Sequence, residues 1–167
     1  MELKGAVAIV TGGSEGIGRS IAKALKNQGC EVTITGRRED AVRSTGVELG
    51  VDWTVADVGN EEDAIRTVKS VVDKHRCLDI LVNNAGFGLF KPLIELTLEE
   101  LESVYRTNVF GAFLMSREAA HHFIEQGSGE LINIASTSSL KGSATRTAYG
   151  SSKFALRGMT ECWRDEL

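Results

Sequence analysis

The chain has 167 residues, 42% hydrophobic and 25% charged, which suits one globular domain with a full core and sets aside disorder and fibres. A formal charge of -4, with nothing more basic than Arg37-Arg38, leaves no footprint for a nucleic-acid backbone, so nucleic acid is excluded as an expected partner. No apolar run approaches the roughly 20 residues that span a bilayer, and Met1-Glu2-Leu3-Lys4-Gly5 carries no basic leader, so no membrane partner is expected and the expected location is cytoplasmic. Cys30, Cys77 and Cys162 are too scattered for a disulfide framework or paired metal ligands. His75, His121 and His122 lack carboxylates or cysteines at ligand spacing, and no metal is assigned.

Along the chain, short β-branched runs alternate with longer amphipathic stretches, the pattern of parallel strands joined by helical crossovers. The first strand is expected over residues 6–11, and directly after it comes Thr11-Gly12-Gly13-Ser14-Glu15-Gly16-Ile17-Gly18. Gly12, Gly16 and Gly18 there supply a tight turn, close backbone approach to a pyrophosphate and close helix packing, ahead of a helix over 16–28 that Gly29 stops. The spacing is neither G-x-G-x-x-G nor a Walker loop, and alone it is equally a plain strand-to-helix connection. A second strand over 31–35 ends in Thr35-Gly36-Arg37-Arg38. A dinucleotide fold presents an acid here to the adenosine ribose, or a base to a 2′-phosphate; two guanidinium groups and no acid favour NADP(H). Glu15 counts mildly against this, and the alternative for Arg37 and Arg38 is a solvated basic turn.

A helix over 39–49, a strand over 52–55 and a helix over 61–75 follow, then a strand over 79–83. The first and fourth strands are nearly continuous apolar runs, as for strands covered on both faces. One long helix is expected over 98–125, capped by Thr97 and interrupted by Asn108 and Gly111, which are either a tolerated defect beside close packing or a functional kink. The fifth strand, 130–135, leads into a serine-rich stretch, and a last helix starts at Tyr149. The pair Tyr149 and Lys153 stands one helical turn apart. A phenol has an unperturbed pKa of about 10, and an ammonium four residues along the same face favours its phenolate. By itself the pair is also an ordinary surface tyrosine with a lysine neighbour. The expected architecture is α/β, a Rossmann-type doubly wound parallel sheet with helices on both faces.

These residues together resemble the short-chain dehydrogenase/reductase family over the whole chain. The family's T-G-x-x-x-G-x-G loop matches Thr11 to Gly18, including Ser14 and Ile17; its acid after the third strand matches Asp57-Val58; and its N-N-A-G segment matches Asn83-Asn84-Ala85-Gly86. Its active-site tetrad falls on Asn108, Ser136, Tyr149 and Lys153, with Ser136 preferred to Ser138 and Ser139 because the family's serine usually lies thirteen positions before the tyrosine. The resemblance implies that Asp57 receives the adenine amino group and that Asn84, Ala85 and Gly86 pass along the cofactor. It also implies that Asn108 uses the distorted helix to hold a water linking Lys153 to solvent. Asn83 reads as structural turn chemistry.

The expected reaction is hydride transfer between NADP(H) and a ketone or 3-oxoacyl substrate, with Tyr149 as general acid. Phe87-Gly88-Leu89-Phe90 and residues 140–147 line an apolar substrate pocket or simply pack. The competing reading is an NADP(H)-binding sensor or scaffold without turnover. Family members usually continue many tens of residues beyond a point equivalent to Leu167, so residues 1–167 are expected to be a truncated single domain, inactive and poorly soluble alone, and part of a homodimer or homotetramer when full length.

Overall fold

The computed structural model describes residues 2–167. Strands β1 (Val7–Val10), β2 (Glu31–Gly36), β3 (Asp52–Val55), β4 (Ile80–Asn83) and β5 (Glu130–Asn133) form one parallel sheet in the order β3-β2-β1-β4-β5. The order runs outward from β1 through β2 to β3, then resumes on the other side with β4 and β5. That reversal between β1 and β4 leaves a crevice beyond the carboxyl ends of the strands, where ligands bind in open α/β sheets.

The alternation of side chains along β1 divides the core in two. Val7 and Ile9 join Leu81 against Val68 and Val71 of α3 (Glu61–His75) and Met115 and Phe123 of α5 (Ala112–Gln126). Ala8 and Val10 join Val32, Ile34 and Val82 against Ala22 of α1 (Gly16–Asn27) and Val42 of α2 (Glu39–Leu49). β1 and β4 are buried along their whole length, as their continuous apolar runs suggest, each large side chain contributing about 1.5–3 kcal/mol by leaving water. β5 forms one edge of the described sheet, with Glu130 and Ile132 exposed.

Helix ends follow local chemistry. Gly29, at φ +86°, turns the chain out of α1, and Asn60 caps α3 by accepting from the Asp63 amide at 3.0 Å. Thr97 and Glu100 form a reciprocal capping box at the start of α4 (Leu98–Tyr105). The single helix expected over 98–125 is instead two α-helices joined by a π-helical segment, Arg106–Gly111. Close packing accounts for part of it: a Cβ at Gly111 would lie 2.5 Å from Val58 Cγ2, and one at Gly59 would lie 2.7 Å from Arg106 Cγ. The sixth helix, α6 (Thr147–Glu166), begins two residues before the expected start at Tyr149 and packs on α4 and on the turn after β5.

Candidate active site

A cleft of about 650 Å³ runs across the carboxyl ends of β1, β2, β4 and β5, within the usual size range of small-molecule sites. At one end lies the glycine loop. Gly12 and Gly16 have φ of +62° and +56°, a region that favours glycine, and a Cβ at Gly18 would sit 2.3 Å from the Gly12 carbonyl oxygen. The loop is braced from β4: the Asn84 side chain donates to the Thr11 and Gly12 carbonyls at 2.9 and 3.1 Å, and the Thr11 hydroxyl accepts from the Asn84 and Ala85 amides, each at 3.0 Å. Asn84 therefore shapes the loop through its side chain and borders the cleft with Ala85 and Gly86. Asn83 is more than a strand terminator, because its amide donates to Ser116 and Asn133 and joins β4 to α5 and β5.

Ser14, Ile17, Arg37, Arg38, Asp57 and Val58 border the same cleft. Arg38 is held by Glu15 at 2.8 Å, so part of its charge is offset, whereas Arg37 has no ion pair among the described residues. This pairing links residues far apart in sequence and gives Glu15 a partner that the loop motif does not announce. The Thr35 hydroxyl, at the end of β2, is buried without a hydrogen-bond partner and faces this part of the cleft. Asp57 Oδ1 accepts from the Gly59 amide at 3.0 Å, fixing the carboxylate at the rim.

At the other end Ser136, Tyr149 and Lys153 meet. Lys153 is 5% exposed; its ammonium donates to the Ile134 carbonyl at 2.7 Å and stands 5.9 Å from the Tyr149 ring centroid. Burial pushes its pKa below the usual lysine value. Ser136 borders the cleft, while Ser138 and Ser139 are buried beneath it, Ser139 donating to the Ser136 carbonyl at 2.5 Å. Ser136 Oγ accepts from the Ser138 amide at 3.1 Å, which leaves the hydroxyl proton free to point into the cleft.

Asn108 departs from expectation. It is 1% exposed and does not border the cleft; its Oδ1 accepts from the Phe87 amide and its Nδ2 donates to the Phe87 carbonyl and to Ser152, all at 3.0 Å. With both ends of the amide occupied, the side chain positions the 86–88 loop and α6, and any water beside the π-helical turn has to be held by main chain. Of residues 140–147, only Arg146 borders the cleft, opposite Phe87 and Phe90; Leu140 is 65% exposed. Cys30 and Cys77 lie away from the cleft with thiols pushed up chiefly by burial, and no metal-binding group of three or more His, Cys, Asp or Glu occurs among the described residues.

A nicotinamide dinucleotide fits what is present: a glycine floor a Cβ would fill, main chain that can approach phosphates, an unpartnered hydroxyl and free cation beyond them, and a buried lysine beside a tyrosine. No described helix is long and apolar enough to cross a membrane. Comparison with known proteins agrees with the geometry. L-2,3-butanediol dehydrogenase of Corynebacterium glutamicum is 36% identical over 96% of this chain, which spans 66% of that protein. The oxidoreductase YxnA of Bacillus subtilis is also 36% identical over 99% of this chain, which spans 48% of its length. The crystal structure of an NAD+-bound xylitol dehydrogenase superposes with a TM-score of 0.92 at 33% identity, covering 97% of this chain and 65% of the other. The family model described as short chain dehydrogenase matches residues 6–167, and the chain belongs to that family.

Proposed function

We propose that the protein is an NADP(H)-dependent oxidoreductase that interconverts a ketone, including 3-oxoacyl compounds, and a secondary alcohol. The observation that carries this reading is the convergence of Ser136, Tyr149 and Lys153 on one cleft with the glycine loop. Bound nicotinamide would supply or accept the hydride. Tyr149 gives its hydroxyl proton to the developing alkoxide, or takes one back in the oxidative direction. Ser136 donates to the same oxygen, which matters most as charge builds there. Lys153, fixed by the Ile134 carbonyl, favours the phenolate and reaches the nicotinamide ribose. Asn108 keeps the Phe87 main chain and α6 in register, and main chain of the π-helical turn holds the water that returns a proton to Lys153. Relatives named for butanediol and sorbitol oxidation support small hydroxylated or carbonyl substrates.

The preference for NADP(H) rests on Arg37, the cation at the end of β2 without an acidic partner among the described residues, and on the lack of a carboxylate there. Fluorescence titration should give NADPH at least about ten-fold tighter binding than NADH, and Arg37→Ala should remove most of the difference, a charge-assisted contact being worth about 1.5–3 kcal/mol. Arg38→Ala should matter less, since Glu15 already holds that guanidinium. Equal binding of the two cofactors by the parent would refute the preference. NADPH oxidation with diketones and 3-oxoacyl esters, and NADP+ reduction with vicinal diols, test the reaction itself.

A further inference from the structure

We propose that Arg146 selects substrates carrying a carboxylate near the reacting carbonyl, so that the physiological substrate is an oxo acid or the matching hydroxy acid. The proposal rests on the oxidoreductase reading above. The charged side chains bordering the reaction end of the cleft are Lys153 and Arg146, both cationic; the carboxylates bordering the cleft, Glu15 and Asp57, belong to the glycine loop and the end of β3. Lys153 is buried and bound to the Ile134 carbonyl. Arg146 is exposed, has no salt bridge among the described residues, and uses one nitrogen, Nη1, to donate to Ser138 Oγ at 3.0 Å. A guanidinium has five N–H donors in a planar fork, so a carboxylate-matching edge stays open.

Its surroundings hold it in place. The guanidinium carbon lies 5.2 Å from the Phe90 ring centroid, and the same ring meets Tyr149 edge-on at 5.7 Å, so one aromatic ring separates the cation from the phenol. The backbone before it is strained: Thr145, a β-branched residue, has φ +64°. The Lys91 amide donates to the Thr145 carbonyl at 2.9 Å, and Lys91 bridges to Arg146, fixing this conformation. Strain here turns the chain so that Arg146 borders the cleft beside Tyr149. The reduction is unchanged in kind: the carbonyl carbon gains the hydride, its oxygen gains the Tyr149 proton, and the carboxylate stays intact while its charge is met by Arg146.

The test pairs 3-oxobutanoate with its methyl ester, which share a carbonyl and differ in charge, and follows NADPH consumption. The acid is expected to have at least about a ten-fold higher kcat/KM, and Arg146→Gln to cut the acid-to-ester ratio about ten-fold, mainly through KM; Arg146→Lys should keep part of the ratio. Added salt should lower the acid's kcat/KM and spare the ester's. A ratio that Arg146→Gln leaves unchanged, because both substrates suffer alike, would make Arg146 a loop brace through Ser138 and overturn the proposal. Calorimetric binding of 3-oxobutanoate and its ester to the NADP(H)-loaded protein separates the two readings. Arg146-dependent preference for the acid without turnover of any carbonyl or alcohol would keep the anion site and reject the oxidoreductase reading. Turnover without preference for the acid would do the reverse.

Discussion

The two ends of the cleft are built from different materials. Around the glycine loop the walls are main chain, set by what is missing: a methyl group at Gly12 or Gly18 would lie within 3 Å of neighbouring atoms. Around Tyr149 the walls are side chains, drawn from the turns after β4 and β5 and from α6. One end fixes shape and tolerates little; the other fixes chemistry and leaves room for specificity to vary.

The largest expected effect falls at the reaction end. Tyr149→Phe removes a proton and little surface, so turnover should fall by about 10²–10⁴, while NADPH affinity measured by titration stays within a few-fold. Turnover near the parent rate would mean that the acid is another group. At the nucleotide end the matching change acts on packing. Gly18→Ala places a carbon 2.3 Å from the Gly12 oxygen and 2.4 Å from Asn84 Nδ2, and should cost about 1–3 kcal/mol in stability and weaken NADPH binding. Gly142→Ala meets nothing within 4 Å and serves as the control, with Tm unchanged or slightly raised. If the two alanines behaved alike in thermal melts, the idea of a rigid glycine floor would fail.

The smallest effect concerns pH. Because burial lowers the Lys153 pKa from its ordinary 10.5, the folded protein releases that proton more readily than the unfolded chain. Stability contributed by this group therefore rises as pH climbs from the lowered pKa toward the ordinary one. A Lys153→Met variant lacks that rise, so the difference in Tm, parent minus variant, should grow with pH across the alkaline window. A difference that stays flat would show a solvated ammonium and weaken the electrostatic role given to Lys153.

What was legible in the sequence follows the same division. Glycine positions, buried strands and the Tyr149–Lys153 spacing are local signals, and the glycine loop, β1, β4 and the start of α6 appear near where those signals put them. The Arg38–Glu15 pair, the grip of Asn108 on Phe87 and the placement of Arg146 depend on contacts between distant parts of the chain. No periodicity or spacing encodes them. Asn108 and Gly111 did mark the break in the long helix, but not its form, because a helix former's weakness says where a turn opens and not what fills the opening.

The π-helical segment makes the number of residues between Arg106 and Gly111 matter as much as their identity. An α-helix advances about 100° per residue, so deleting one residue there would rotate α5 by about that angle against α4. Met115 and Ala119 would then swing away from the sheet, or Asn108 would leave Phe87. Most surface loops absorb a one-residue deletion; in this segment the phase of two helices and the aim of a buried amide are set together, and a frame-preserving deletion should be less tolerated than most single substitutions.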